Sequence, residues 1–325
     1  MLRYLARRFA FSVLLVAVVS SAAMLLTLAA PGDITSEQVG SGATARSIDA
    51  ERARLGLDRS RLEQYGAWLA RAARLDFGTS LMYGRPVAGL VAERAGNTLL
   101  LAVAALALAL LAGVPLGVVS GSRSGILPGA IRAASLAAVS MPTLVSSLLL
   151  VLVAARTGWL PTGGMTSNDA AAARGWLEAA ADIARHMILP TLAIALPLAA
   201  TIERLQSQAT AETMGERFVA AAVARGVPQR RVVWRHVLKP SLRPVAAIFG
   251  LVFGNLLSGS FVVEIVTSWP GLGRLMFDAL RSRDMYLVAG CAAAGGVFLA
   301  LGALVSDAAL AAIDPRLRGG REVRG

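Results

Sequence analysis

The side chains that most often carry out chemistry in proteins are sparse in this sequence. Its only histidines are His186 and His236, and its only cysteine is Cys291. Its single lysine, Lys239, is followed by proline. A structural zinc site uses four protein ligands, mostly cysteine and histidine, and a phosphate-binding loop places lysine directly before serine or threonine. The sequence therefore predicts neither a conventional zinc site nor an ATPase site in this chain.

The other candidate groups lie in or beside apolar stretches. Ion-driven transporters carry ionisable side chains inside the membrane, but Glu203 and Glu264 stand at the ends of apolar runs. Ser258 and Ser260 lie within one such run, which leaves an intramembrane serine protease as an alternative. Both histidines lie outside the runs, and this disfavours the protease. Active transport by this chain would therefore need energy from another protein.

Long uncharged runs decide the fold class. The chain has 325 residues, of which 56% are hydrophobic and only 16% charged, whereas soluble domains are about 25% charged. A transmembrane helix needs about 20 apolar residues. The candidate spans are 9–32, 95–122, 133–155, 187–202, 245–263 and 286–306. The sequence therefore predicts an all-α, polytopic integral membrane protein with about six transmembrane helices. The first run is longer than the core of a signal peptide, so we expect it to remain a span.

The placement of arginine and lysine predicts the orientation in the membrane, because cytoplasmic loops carry an excess of these residues. With the N-terminus inside, the inner segments hold 17 Lys/Arg, whereas the outer loops 156–186 and 264–285 hold six. The inner segments are 1–8, 123–132, 203–244 and 307–325. We therefore predict cytoplasmic N- and C-termini. Anionic lipid explains the net charge of +12 better than nucleic acid does.

These spans divide the chain into four parts. Residues 1–32 form an N-terminal tail and the first span, and 33–94 form an extracytoplasmic segment. Residues 95–306 form the core with the other five spans, and 307–325 form a cytoplasmic tail. In the extracytoplasmic segment the pattern predicts an amphipathic helix over 58–74. Asp58 is its expected N-cap, and its apolar face comprises Leu62, Tyr65, Leu69 and Ala72. This face would pack on the membrane, on the ends of the spans or on a partner.

The inner segment 203–244 predicts a pair of helices. A first helix is expected from Gln206 to Arg225, and Gly226 ends it. Pro228 suits the first position of a second short helix, and the Lys239–Pro240 pair is expected to stop that helix. The exposed cations of this projection are Arg217, Arg225, Arg230, Arg231 and Arg235. It is either a solvated basic loop or a surface on which another protein docks.

Four stretches, in order along the chain, resemble one family. Residues 218–236 (FVAAAVARGVPQRRVVWRH) resemble the ATPase-coupling loop of ABC importer permeases, and more narrowly the B-type subunit of the dipeptide/oligopeptide (peptide/nickel) group. Residues 55–58 (LGLD), followed by 76–80 (DFGTS) and 85–87 (RPV), are similar to the outer segment of that group. Residues 264–275 (EIVTSWPGLGRL) resemble its loop after the fifth span, and 314–318 (DPRLR) resemble its C-terminal end.

The resemblance is not complete. The general importer pattern has glutamate at the position of Ala220, an aliphatic residue at His236 and proline at Lys239. Peptide-type members resemble this chain more closely at the first two positions. The missing glutamate leaves open which polar contact would anchor the ATPase.

The resemblance implies a type I ABC importer permease fold and an ATP-driven import of di- or oligopeptides through the cytoplasmic membrane. The implied partners are a second homologous permease, two ATPase subunits or domains, an extracytoplasmic substrate-binding protein and membrane lipid. ATP and magnesium would be bound by the ATPases, and no cofactor or metal by this chain. Two alternatives stay open. One is an importer of nickel, haem or a glycan with the same fold, and the other is a membrane scaffold or sensor that does not transport.

The resemblance also implies roles for individual residues. The expected ATPase-coupling residues are Phe218, Ala221, Ala222, Arg225, Gly226, Val227, Pro228, Arg230, Arg231 and His236. The expected contacts with the binding protein are Asp76, Phe77, Gly78, Trp269, Pro270 and Gly271. Small polar residues expected along a translocation path are Ser140, Ser146, Asn255 and Ser258.

Overall fold

The computed structural model describes residues 2–32, 35, 50, 52–54, 56–167 and 175–313. Within these ranges the chain is helical, and its only β pairing is an isolated antiparallel bridge between Thr79 and Pro86. This confirms the predicted all-α class. The helices used below are α1 (Leu2–Ala29), α2 (Arg61–Ala72), α3 (Val87–Ser122), α4 (Ile126–Ser140), α5 (Thr143–Thr157), α6 (Trp176–Met214), α7 (Arg217–Ala224), α8 (229–241), α9 (Arg243–Ala247), α10 (Phe249–Val266), α11 (Leu272–Arg281) and α12 (Met285–Ile313).

The described helices confirm a multi-pass membrane protein. Four of them are long and apolar enough to cross a membrane, namely Arg7–Ala29 of α1, all of α3, all of α6 and Met285–Ala308 of α12. The pair α4 and α5 adds a fifth if the two are taken as one bent span. The predicted span 245–263 overlaps α10, many of whose side chains lie outside the described part of the chain.

The predicted span 133–155 is wrong in one respect, because it is broken into two helices. Helices α4 and α5 meet at an angle of 102°. Met141 has extended backbone angles, with ψ of 121°, and Pro142 is the N-cap of α5. A residue before proline is sterically disfavoured in the helical conformation. The Met141–Pro142 pair therefore ends α4 and turns the chain.

Helix α2 begins later than predicted, and its N-cap is Ser60 and not Asp58. The Ser60 hydroxyl accepts a hydrogen bond from the Glu63 N–H at 3.3 Å, and the Glu63 carboxylate accepts one from the Ser60 N–H at 3.0 Å. This reciprocal pair is a capping box, and it satisfies two backbone donors that the helix itself leaves unpaired. Helix α2 ends at Ala72, before a turn in which Leu75 has a φ of 62°.

The buried face of α2 also differs from the prediction. Trp68 is only 1% exposed and packs with Met24 of α1 and Met285 of α12. The predicted face is split, since Tyr65 and Ala72 contact this cluster while Leu62 is 80% exposed. Leu69 is also exposed. The helix thus docks through its tryptophan side and leaves two leucines for lipid or a partner.

The chain forms two compact units, one comprising Met1–Leu99 and Pro270–Ala300 and the other Leu100–Trp269 and Leu301–Gly325. In the second unit, α3 approaches α6 closely along a row of small residues. A Cβ atom added at Gly113 would lie 2.6 Å from a backbone oxygen of α6, at Gly117 2.7 Å, and at Gly121 2.2 Å. Spacing by four residues puts all three glycines on one helix face. They allow the backbones of α3 and α6 to come into contact.

Candidate functional site

The inner segment folds into a compact helical elbow, defined here as residues 217–241. Helix α7 ends in a hydrogen-bonded turn in which the Val227 N–H binds the Ala222 carbonyl at 3.2 Å and the Gly226 N–H binds the Val223 carbonyl at 2.9 Å. Gly226 has a φ of 76°. This is a Schellman turn, whose left-handed residue is usually glycine. The predicted role of Gly226 as the stop of this helix is confirmed.

The predicted helix over Gln206–Arg225 is interrupted, because α6 ends at Met214 and α7 starts at Arg217. The intervening Glu216 is extended, with ψ of 146°. Helix α8 begins with an α turn after Pro228, continues as a π-helix over Val232–Val237 and closes with a last turn over Leu238–Ser241. Pro240 therefore lies inside that last turn, and the helix runs slightly further than predicted.

A small apolar core holds the two helices of the elbow together. It consists of Val219, Ala222, Val232 and Val237, with Met214 and Val227 packed against them. Ala222 is therefore not a surface residue, although the resemblance implied a coupling role for it. Its small side chain and that of Val227 set the distance between α7 and α8. The apolar core and the hydrogen-bonded turn at Gly226 both hold α7 against α8.

The exposed face of the elbow is cationic and partly aromatic. Arg230, Arg231 and Arg235 line a cavity of about 470 Å³ together with Pro228 and Trp234. Of the other predicted coupling residues, Phe218, Ala221 and Arg225 are exposed and His236 is half-buried. None of the described residues lining the cavity is acidic. Guanidinium groups bind carboxylates in paired hydrogen bonds, so this face suits an acidic protein surface.

A buried polar network connects the elbow to α6. The Gln206 amide donates hydrogen bonds to the Ser241 hydroxyl at 2.8 Å and to the Thr210 hydroxyl at 3.0 Å. Gln206 is fully buried. One turn earlier, the Glu203 carboxylate accepts a hydrogen bond from the Ser120 hydroxyl of α3. Sequence reasoning missed Gln206 and Ser241, since nothing in either local pattern marks two polar residues 35 positions apart as partners.

The loop 76–86 of the predicted outer segment has a defined hairpin-like shape. The Asp76 carboxylate accepts a hydrogen bond from the Gly78 N–H at 2.9 Å. The Ser80 N–H binds the Arg85 carbonyl at 2.9 Å, and the Val87 N–H binds the Gly78 carbonyl at 3.0 Å. Asp76 is exposed, Phe77 is half-buried and Gly78 is buried. The carboxylate of Asp76 is thus the most accessible of the three predicted binding-protein contacts in this loop.

Aromatic and charged side chains flank this loop. The Arg71 guanidinium lies 5.0 Å from the centre of the Tyr286 ring, in a cation–π contact. A side chain at Gly78 would meet the same ring at 3.6 Å. Burial raises the pKa of the Tyr83 hydroxyl, and the carboxylate of Asp278 adds to this effect. Tyr83 therefore stays neutral at physiological pH.

Asp284 ties the loop to the start of α12. Its carboxylate accepts hydrogen bonds from the Ser80 hydroxyl at 2.6 Å and from the Met82 N–H at 3.0 Å. The other oxygen accepts from the Leu287 N–H at 3.1 Å, which caps the helix. Asp284 is fully buried. A single side chain thus organises two segments that are 204 residues apart.

Replacing Asp284 by alanine is expected to release the loop 76–86. Three donors would lose their acceptor, and each hydrogen bond to a charged group contributes about 1.5–3 kcal/mol. Hydrogen–deuterium exchange should rise by at least about tenfold in peptides covering Ser80 and Met82. The exposed Asp58 provides the control, since Asp58→Ala should leave exchange in this loop unchanged. Equal protection in Asp284→Ala and the wild type would contradict the assigned role.

The loop 269–271, the second region predicted to contact a binding protein, is held by hydrogen bonds to α3. The Asn97 amide donates to the Pro270 carbonyl at 2.8 Å, and the Leu272 N–H donates to the Thr98 hydroxyl at 2.7 Å. Pro270 is half-buried, and Gly271 is buried. Trp269 is fully buried in the apolar core of the second unit. Its indole therefore supports the fold in this conformation and presents no surface to a binding protein.

The predicted path residues lie at the bend between α4 and α5 and in α10. The Ser140 hydroxyl donates to the Leu136 carbonyl at 2.8 Å, and the Ser146 hydroxyl donates to the Thr143 carbonyl at 3.0 Å. Each hydroxyl is thus satisfied within its own helix, as is common for serine in apolar helices. Asn255 and Ser258 lie in α10, and their side chains fall outside the described part of the chain.

Comparison with known proteins covers nearly the whole chain. Residues 113–319 match the family described as binding-protein-dependent transport system inner membrane component, and residues 1–102 match the family of its N-terminal region. The oligopeptide transport system permease protein OppB of Mycobacterium tuberculosis is 34% identical over 326 residues, covering 98% of this chain and 99% of OppB.

Two further relatives are also named as permease proteins of transport systems. The oligopeptide transport system permease protein AppB of Bacillus subtilis is 30% identical, and the glutathione transport system permease protein GsiC of Escherichia coli is 32% identical. Each alignment covers 98% of this chain and 99% of the relative. The membrane helices, the elbow and the family match over both halves of the sequence lead to one assignment. The chain belongs to the family of binding-protein-dependent transport system inner membrane components, the permease subunits of ABC importers.

Proposed function

We propose that this chain is the B-type permease subunit of an importer that carries di- and oligopeptides across the cytoplasmic membrane. The observation that carries this proposal is the likeness along the whole chain to permeases named for oligopeptide and glutathione transport. Glutathione is itself a tripeptide. The relatives thus share a class of short peptidic substrate.

In the proposed complex this subunit pairs with a second homologous permease, and the two line the path. Two ATPase subunits or domains lie on the cytoplasmic side and bind ATP and magnesium, while this chain binds no cofactor. Its N- and C-termini face the cytoplasm. An extracytoplasmic binding protein delivers the peptide to the loop 76–86 and to the loop that contains Pro270. The hydrogen bonds of Asp284 and of Asn97 would hold these loops ready for that contact.

The elbow is proposed to dock on one ATPase. Its cationic cavity, lined by Arg230, Arg231 and Arg235, would receive acidic side chains. This contact would supply a polar anchor for the ATPase. The general importer pattern has a glutamate for which this chain has Ala220. Closure of the ATPases on ATP would displace the elbow. The hydrogen bond between Gln206 and Ser241 would pass that displacement to α6.

Co-purification tests this assembly. The tagged chain is extracted gently from its native membranes, and the co-purifying proteins are identified by mass spectrometry. A second permease and an ATPase, present in stoichiometric amounts, are the expected result. Peptide uptake is then measured in proteoliposomes that contain the complete complex and its binding protein. Recovery of the chain alone, or uptake of a metal or a sugar instead of a peptide, would contradict the proposal.

Charge reversal on the elbow is expected to weaken the association with the ATPase. In Arg230→Glu/Arg231→Glu two exposed guanidiniums become carboxylates, and like charges across an interface cost several kcal/mol. The amount of co-purified ATPase should therefore fall by at least about tenfold. Arg123→Glu changes another exposed arginine of a predicted cytoplasmic segment and should retain the ATPase. Unchanged co-purification with the double variant would exclude docking through this face.

A further inference from the structure

The first unit contains a second cationic cavity, far along the sequence from the elbow, which we call the arginine cavity. It has a volume of about 280 Å³. Its walls come from the last turn of α1, the start of α2 and the turn before α12. The last turn of α1 is the end of a predicted membrane span. The cavity therefore lies where a membrane helix meets the headgroup region of the bilayer.

Four arginines line this cavity, namely Arg52, Arg59, Arg61 and Arg283. None of its described lining residues is acidic. Arg283 has a φ of 56°, which is uncommon for a residue with a side chain. The backbone bond from the Asp284 N–H to the Ala279 carbonyl, at 2.9 Å, closes the turn and keeps Arg283 in this conformation. The surroundings thus present several positive charges to one volume, which favours an anion.

Gln64 fixes the backbone next to the lining arginines. Its side chain is 8% exposed, and its amide nitrogen donates to the carbonyl of Arg59 at 2.9 Å and to that of Leu57 at 3.4 Å. Its amide oxygen is enclosed by the protein and has almost no surface that a ligand could contact. The cavity therefore suits a ligand that is recognised by its negative charge.

The neighbouring surface indicates where such a ligand comes from. Leu25 and Leu26, directly before the lining residues Thr27 and Leu28, are exposed, with Leu26 72% exposed. In a bilayer this apolar surface of α1 contacts acyl chains. A ligand with its anionic head in the cavity and its tails along α1 satisfies both surfaces. Guanidinium groups beside the end of a membrane helix suit the phosphate of such a lipid, because they form paired, charge-assisted hydrogen bonds with it.

We propose that the arginine cavity binds the headgroup phosphate of an anionic phospholipid, with phosphatidylglycerol as its representative. Arg59, Arg61 and Arg283 bind the phosphate through charge-assisted hydrogen bonds. The bound lipid would fix α2 and the turn before α12 against the end of α1. This site is independent of the substrate of the transporter and of the coupling elbow.

Native mass spectrometry of the intact complex tests the site. The complex is reconstituted in nanodiscs that contain equal amounts of phosphatidylglycerol and phosphatidylcholine, and the lipids retained after transfer to detergent are counted. The wild type should retain phosphatidylglycerol in preference to phosphatidylcholine. Each arginine near a membrane surface contributes about 1 kcal/mol to anionic lipid binding, or about fivefold in affinity. Arg59→Gln/Arg283→Gln should therefore bind phosphatidylglycerol about 25-fold more weakly.

A further variant separates this site from general attraction to charge. Arg74→Gln removes an exposed arginine of the same segment that does not line the cavity, and it should retain the lipid as the wild type does. An equal loss of lipid in Arg74→Gln and in Arg59→Gln/Arg283→Gln would contradict binding at the cavity.

Two other outcomes would overturn the proposal. Equal retention by the Arg59→Gln/Arg283→Gln variant and the wild type would exclude the cavity as the lipid site. Stabilisation of the wild type against heat by inorganic phosphate, without any retained phosphatidylglycerol, would assign the cavity to a free anion. Each variant is first compared with the wild type by its elution volume and by recovery of the partner subunits. These checks separate a lost lipid site from a failure to fold.

Discussion

Gly121→Ala is expected to destabilise the second unit strongly. The added methyl carbon would lie 2.2 Å from the Ser207 carbonyl oxygen and 2.9 Å from its carbonyl carbon. These atoms belong to the backbone of α6, so no side-chain rotation relieves the clash, and α3 must move away from α6. Overpacking a well-packed core costs about 1–3 kcal/mol, and occasionally more. Because the clash is with backbone atoms, we expect the destabilisation of this variant to lie at or above the upper end of that range.

The measurement is the amount of monodisperse protein after extraction from membranes and after a heating series. We expect Gly121→Ala to lose most of its monodisperse fraction at temperatures where the wild type keeps it. Gly96→Ala is the matched control, because Gly96 lies in the same helix and an added Cβ has no atom within 4 Å. Similar profiles for Gly121→Ala and Gly96→Ala would falsify the close approach of α3 and α6.

Gly226→Val is expected to separate ATP hydrolysis from transport while leaving membrane insertion intact. Gly226 has a φ of 76°, and no atom lies within 4 Å of a Cβ added there. The effect therefore comes from the backbone alone. A residue with a side chain loses about 1–2 kcal/mol in the left-handed conformation, and a β-branched residue is an outlier there. The turn would open and change the angle between α7 and α8.

Substitution by asparagine provides the matched comparison, since asparagine tolerates the left-handed conformation much better than valine. Transport and ATP hydrolysis are measured in proteoliposomes that contain the complete complex. We expect Gly226→Val to lower peptide uptake per ATP hydrolysed by at least about tenfold, whereas Gly226→Asn retains most of it. A tenfold change corresponds to about 1.4 kcal/mol, within the range of the backbone strain. Equal coupling in both variants would remove Gly226 from the coupling mechanism.

The features that could be predicted from the sequence depend on interactions between neighbouring residues. The apolar runs, the glycine stop at Gly226 and the helix start at Pro228 depend on residues that are close in sequence. The structure contains all three, except that Pro228 is the N-cap and the helix begins one residue later, at Gln229. The same holds for two features that the prediction overlooked. The capping box of Ser60 and the break before Pro142 both have local signals, a Ser-x-x-Glu pattern and a residue preceding proline.

The binding cavities could not be predicted in the same way. Arg59 and Arg283 are far apart in sequence, and each one alone is an ordinary surface arginine. Only the fold of the first unit places them around one volume with Gln64. Likewise, the resemblance to permeases implied that Trp269 contacts a binding protein, whereas packing of the second unit buries its indole.

The sequence by itself determined that this protein is helical, that it spans a membrane several times, and that it carries a glycine-centred elbow between two helices. These properties follow from hydropathy and backbone preferences, which act over a few neighbouring residues. The tertiary structure alone decided that Gln206 binds Ser241, that Asp284 binds Ser80, and that Gly121 touches a neighbouring backbone while Gly96 does not. Those contacts depend on how distant segments pack against each other. A one-dimensional pattern carries no information about that packing, because equivalent glycines and serines elsewhere in the chain have the same local surroundings.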